Sequence, residues 1–264
     1  MVVTMSSVTA RIAEVKQPRG GYIKPSQFVT QKLENNMKLN ENENIHGIII
    51  GLTVDYLTRY MMGSDPFDAF NIPLLGAKIA ENIFQKKKAI AKAILLLSNI
   101  NGLTDYSIIN ACKLTTYDVW LRNPIGAISS KTADEINPDE STIQNIRVLV
   151  QRCLYFWNIY GPIIKEGFTF GPNGYTKVVD SGDGDYLTAD TLWDFKVSKS
   201  RPTSKHTLQL LMYWIMGLHS GQAEFTNINK LGFFNPRLNE VYLLNTKDIP
   251  TEIIEIVEKD IICY

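Results

Sequence analysis

GDGDYLTADTLWDFKVSK, residues 182–199, decides how the C-terminal half of the chain folds. GDYL and TLWDFKV are short and rich in aromatic and β-branched residues, so they read as two strands separated by a tight turn. Side chains alternate faces along a strand, which sets Asp194 and Lys196 on one face. Trp193, Phe195 and Val197 line the other and face a core. A carboxylate beside an ammonium on a mostly apolar strand requires mutual pairing or a bound ion.

The neighbouring segments extend this pattern. IIKEGFTF and YTKVVD precede it as further strands, with Asn173-Gly174, Gly182 and Gly184 as turn signals. A helix follows over SKHTLQLLMYWIMGLHS, then KLGFFN and EVYLLN as a hairpin around Pro236, and TEIIEIVEKDII as a closing helix. Upstream, IHGIIIGLTVDYLTRYMM reads as a helix and LLGAKIAENIFQKKKAIAKAILLL as one long amphipathic helix, with Lys86, Lys87 and Lys88 on its polar face. A short helix covers Asp105 to Cys112, a connecting loop Asn123 to Asn137, and NPDESTIQNIRVLVQRCLYFWNIYG is helical with acids at its start. Three regions result: a polar, loop-rich segment 1–44, a helical region 45–160, and a strand-containing core 161–264. The fold class is α/β (α+β), a mixed central sheet flanked by helices.

Bulk composition narrows the function. The 264 residues are 45% hydrophobic, and 27 Lys and Arg balance 27 Asp and Glu, so no global field draws in a polyanion. Nucleic-acid binding therefore needs a local patch. Lys196, Lys199, Arg201 and Lys205, followed by His206, form an acid-free basic run suited to phosphate contact. Cys112, Cys153 and Cys263 are odd in number and widely spaced, which excludes a disulfide framework or a four-cysteine metal site. The N-terminus lacks a continuous apolar signal region, and no apolar run is long enough to span a bilayer. The chain reads as soluble and cytoplasmic, with no membrane partner.

Three readings compete for the acids. Asp180, Gly182, Asp183 and Gly184 suit a tight turn but leave Asp194 and Lys196 unexplained. An EF-hand register is missed by Asp180, Asp183 and Asp185. Magnesium needs only one or two carboxylates besides water and phosphate, which Asp185 and Asp194 on adjacent strands supply. Lys196 then orients or polarises a water and neutralises phosphate charge. Gln209 and Tyr213, four apart, share one face of the following helix.

The ordered set Gly182-x-x-Asp185, Asp194-x-Lys196 and Gln209-x-x-x-Tyr213 resembles the PD-(D/E)XK nuclease superfamily, in its RecB-like branch with the lambda-type exonucleases. The likeness covers Ile163 to Leu244, with a weaker patch at Gly51 to Arg59. It implies a restriction-endonuclease-like core and hydrolysis of DNA phosphodiester bonds dependent on Mg²⁺ (or Mn²⁺). Carried onto this chain, Asp185 and Asp194 are metal ligands, with the Phe195 carbonyl as an extra one. Lys196 orients or activates the water, and Gln209 and Tyr213 brace the site and touch the DNA backbone. The branch also carries an upstream G-x-x-x-H or G-x-x-x-E element, here Gly51-x-x-x-Asp55. Asp55 is shorter than the usual ligand and stands equally well as a partner of Arg59 at i+4, with His46 and Glu81 as alternative metal donors. No P-loop is present, so a motor would be a separate chain. Residues 60–160 match no known element and offer a surface for DNA, a partner protein or another copy in a homo-oligomer. The competing reading is a catalytically inactive nuclease-like scaffold that binds nucleic acid or a protein partner. DNA against RNA, and exonuclease against endonuclease, are not distinguished by these residues.

Overall fold

In a computed structural model, residues 6–34 and 37–264 are described. The chain divides into two compact units: Met1–Glu34 with Phe156–Tyr264, and Asn35–Tyr155. Residues 6–34 belong to the same unit as the six-stranded sheet.

In chain order the elements begin with β1 (Ser6–Ser7), α1 (Val8–Glu14) and β2 (Val29–Lys32). A helical series follows: α2 (Gly47–Met61), α3 (Pro66–Ala69), α4 (Asn71–Asn82), α5 (Ala89–Ser98), α6 (Asp105–Thr115), α7 (Asp118–Arg122), α8 (Pro124–Ala127) and α9 (Glu140–Tyr160). The rest comprises β3 (Lys165–Phe168), β4 (Val179–Ser181), β5 (Gly184–Leu187), β6 (Thr191–Phe195), α10 (Ser204–Ser220), β7 (Lys230–Asn235), β8 (Glu240–Asn245) and α11 (Thr251–Ile256). The last helix runs on as a π-helical turn over Val257–Ile262. The class is mixed α/β.

The single long helix expected over residues 74–97 is instead two, α4 and α5. Gln85 and Lys88 both take positive φ, 54° and 63°, which ends the helical path between them. Glu81 bridges the interruption, its Oε2 accepting the N–H of Ile90 in the first turn of α5 at 2.9 Å. Lys86 lies 5.6 Å over the Trp120 ring. The three lysines therefore mark a break, not a helix face. The stretch expected as a loop, 123–137, holds α8 and a short 3-10 turn. Within Asn35–Tyr155, α2 and α7 are tied at the buried Asp118, to which the Tyr56 hydroxyl donates and with which the exposed Arg122 pairs through Nε at 2.7 Å.

In the other unit, six strands form an open mixed sheet in the order β2-β8-β7-β6-β5-β3, while β1 and β4 make a small parallel pair. β6 and β7 are parallel, so the chain must cross over between them, and α10 is that crossover. Thr203 and His206 close its first turn as a capping box, and Gly221 ends it at φ 77°. Leu208, Leu210, Leu211, Met212, Ile215 and Met216 are all buried, so α10 is apolar nearly all round and lies inside the core.

The faces of β6 follow the two-residue period but not the expected polarity. Trp193 and Phe195 pack on an aromatic cluster with Phe156 and Trp157, at centroid distances of 4.8 Å (Phe156–Trp193) and 5.2 Å (Trp157–Phe195). Leu192, on the face shared with Asp194, belongs to the core that α10 covers. Both faces are buried, and Asp194 is only 2% exposed.

Candidate active site

The strand pairing positions the acids. β5 and β6 are antiparallel with Tyr186 opposite Trp193 and Leu187 opposite Leu192. Continuing that register by one residue sets Asp185 opposite Asp194, on the face beneath α10. There the side chain of Asp185 takes a main-chain role, its Oδ2 accepting the N–H of Phe195 at 2.8 Å. The turn before Asp185 is held by Tyr175, whose hydroxyl accepts the N–H of Phe170 at 3.2 Å and donates to the Gly182 carbonyl at 2.9 Å. A Cβ at Gly182 would stand 2.8 Å from Val8 Cγ2 and 3.4 Å from the Tyr213 ring, so this turn packs tightly against α1 and α10.

Lys196 follows β6, and its ammonium donates to Asp194 Oδ1 at 3.0 Å and to Gln209 Oε1 at 3.1 Å. Asp194 Oδ2 stands 2.8 Å from the same nitrogen as an ion pair. That contact lacks hydrogen-bond geometry, so this buried oxygen accepts no directed hydrogen bond. Gln209 Nε2 donates to the Tyr213 hydroxyl at 2.9 Å. The direction of the relay is fixed by chemistry. An ammonium can only donate, so Gln209 must turn its carbonyl to Lys196 and its amide N–H to Tyr213. Asp194, Lys196, Gln209 and Tyr213 form one hydrogen-bonded line from strand to helix.

Electrostatics agree with this geometry. Burial disfavours the charge on Lys196, but the fields of Asp194 and Asp185 and the hydrogen bond to Asp194 outweigh it and raise its pKa. Burial and the fields of Asp194, Asp185 and Asp183 push the Tyr213 hydroxyl far above the usual tyrosine range, against a smaller opposing effect of the Gln209 hydrogen bond. Burial and the charge of Lys196 lower the pKa of His206, with Asp194 opposing. Its Nδ1 accepts the N–H of Thr203 at 3.1 Å. His206 thereby caps the first turn of α10.

The other expected positions separate by role. Lys199 and Lys205 are exposed, whereas Arg201 pairs with Glu240, Nη2 to Oε1 at 2.9 Å and Nε to Oε2 at 3.1 Å. Phe195 gives its N–H to Asp185 and its ring to the aromatic cluster. The upstream candidates lie in the unit Asn35–Tyr155, each with a local task. Asp55 Oδ2 pairs with Arg59 Nε at 3.1 Å, His46 Nδ1 accepts the N–H of Ile48 at 3.3 Å as the cap of α2, and Glu81 caps α5. Among the described residues no group of three or more His, Cys, Asp or Glu side chains gathers as a metal cage. Cys112 and Cys153 are free and buried, their thiols pushed up to about 12 chiefly by burial, and Cys263 is free and exposed. Among the described residues no helix is long and apolar enough to cross a membrane.

Tyr175 is a contributor that sequence reading missed, since an aromatic residue just after Asn173-Gly174 gives no sign that it will reach the Gly182 carbonyl. No protein-family model matches the chain, and no curated protein or solved structure shows a significant match to it. Function is therefore read from the site itself.

Proposed function

We propose that this chain is a metal-dependent nuclease of the PD-(D/E)XK type, RecB-like branch, that hydrolyses phosphodiester bonds of DNA. One observation carries the reading: Asp194, Lys196, Gln209 and Tyr213 are joined by hydrogen bonds, with Asp185 on the adjoining strand. Buried charges in this arrangement cost stability compared with apolar packing, which favours a chemical role for them.

The residues fit a magnesium or manganese ion. Asp194 Oδ2 is buried with no directed hydrogen bond, and Asp185 lies opposite in the strand register. Two carboxylates suit a magnesium site completed by water and substrate phosphate. Asp185 and Asp194 would hold the ion, which when bound supplies Lewis-acid stabilisation of phosphate charge and activation of water. Lys196, which donates to Asp194 and Gln209, would orient or activate the attacking water and offset negative charge at the phosphate. Gln209 fixes the ammonium in place, and Tyr213 fixes Gln209.

The test is cleavage of linear and circular, single- and double-stranded DNA with Mg²⁺, Mn²⁺ or EDTA. The wild type is compared with Asp194→Ala and Lys196→Ala. Metal-dependent cleavage lost in both variants supports the assignment, and the linear-to-circular comparison separates exonuclease from endonuclease. A wild type inert on every substrate, yet still able to bind nucleic acid, replaces the enzyme with a binding scaffold.

A further inference from the structure

Two acid-free basic segments meet beside this site. Residues 15–33 contain Lys16, Arg19, Lys24 and Lys32 and no Asp or Glu, and residues 195–223 contain Lys196, Lys199, Arg201 and Lys205 and again none. They are far apart in the chain but pinned together in space. Thr207 Oγ1 donates to the Ile23 carbonyl at 2.6 Å across 184 positions. Gly21, at φ 94°, approaches α10 so closely that a Cβ there would lie 2.5 Å from Ser204 Cβ. The turn Pro18–Gly21, closed by the Gly21 N–H to the Pro18 carbonyl at 2.8 Å, is thereby held against the first turn of α10.

Lys16, Arg19, Lys24, Lys199 and Lys205 are all exposed, and none has an ion-pair partner among the described residues. Glu14, next to the first segment, is paired with Arg11 at 3.6 Å, and Glu240 is paired with Arg201. In a chain of zero net charge this leaves a local excess of positive charge. It adjoins the Asp194–Lys196 line, since Lys196 donates at 3.1 Å to Gln209, which lies on α10 just past its first turn. Among the described residues of the two segments Val29 and Leu218 are the only exposed large apolar side chains, too few for the apolar insertion that a membrane surface would need.

We propose that Lys16, Arg19 and Lys24, together with Lys199 and Lys205, form a phosphate-binding face that seats the backbone of a DNA strand leading to the Asp194–Lys196 centre. The proposal rests on the nuclease reading and adds to it a second, N-terminal segment as part of the DNA seat. Flexible point charges of this kind contact phosphate without reading sequence.

The test is fluorescence anisotropy of a labelled DNA oligonucleotide, single- and double-stranded, in EDTA across a KCl series. Wild type is compared with Lys16→Ala/Arg19→Ala/Lys24→Ala and with Lys86→Ala/Lys87→Ala/Lys88→Ala, which removes equal charge elsewhere. The first variant should bind roughly tenfold or more weakly at low salt, with the log–log salt slope reduced by about two on single strands and about three on duplex. The second should bind as wild type, and Lys16→Arg/Lys24→Arg should retain binding. Thermal melting verifies that each variant is folded. A first variant that binds like wild type with an unchanged slope overturns this face and leaves the nuclease reading standing. The same holds for weaker binding without a change in slope, or for an equal loss in the lysine-run control. Wild type that neither binds nor cleaves DNA overturns both.

Discussion

Asp185 Oδ2 accepts the backbone N–H of Phe195 at 2.8 Å, so a carboxylate on β5 holds the main chain of β6. The paired residues end at Tyr186 and Trp193, and this side chain takes over where the ladder stops, beside Asp194. Replacing Asp185 with Ala leaves that N–H without this acceptor and should cost about 1–3 kcal/mol. Asp185→Asn keeps an oxygen for it and should cost less, while still losing metal-dependent cleavage. Urea denaturation of the two variants checks the difference; equal losses would show that the hydrogen bond is not what stabilises this corner.

Lys196 and Asp194 should prove strongly coupled. Removing the ammonium in Lys196→Met leaves a buried carboxylate, and the loss should approach about 3 kcal/mol, at the low end for buried pairs because the lysine side chain is 22% exposed. Adding Asp194→Asn to that variant should recover part of the loss. A double-mutant cycle by chemical denaturation measures the coupling, and additive effects would contradict a shared pair.

Acid should weaken the fold partly through His206. Its folded-state pKa lies below the ordinary 6.5, chiefly through burial, so the unfolded chain takes up the proton first as pH falls. Stability from this group is therefore complete above 6.5 and declines below it, until the folded state also protonates. His206→Asn retains an acceptor for the Thr203 N–H but does not titrate. Melting temperatures followed from about pH 7.5 to about pH 5 should fall less steeply in the variant.

Glu81 should behave as a cap and nothing more. Glu81→Ala should destabilise the protein by about 1 kcal/mol, the usual loss for a helix cap. Its cleavage rate and metal requirement should match wild type once differences in folded fraction are corrected. A changed metal requirement would return Glu81 to the list of ligands.

The parts legible in the sequence are those governed by local periodicity. α10 has the expected span of residues 204–220 because Thr203 and Gly221 bound a continuous apolar run. Asp194 with Lys196, and Gln209 with Tyr213, are fixed by strand and helix spacing. The break between α4 and α5 was hidden because the apolar period continues through it, while its causes, Glu81 reaching Ile90 and Lys86 over Trp120, are contacts between separate segments. β2 was equally invisible: Val29, Thr30, Gln31 and Lys32 are all exposed, so no alternation marks an edge strand held through its backbone pairing with β8. The meeting of the N-terminal basic segment with α10 depends on tertiary packing and leaves no local signal.

That edge pairing also sets an order of events during synthesis. Thr30 faces Tyr242 and Gln31 faces Val241, so β2 has no strand to join until more than two hundred further residues have been made. At ordinary elongation rates that delay is roughly 10–40 s. Closing so long a loop is entropically demanding, and contacts of such separation form slowly. The N-terminal basic turn reaches its place beside α10 only after Ser204 and Thr207 have emerged, which makes assembly of this basic surface a late step in the folding of the chain.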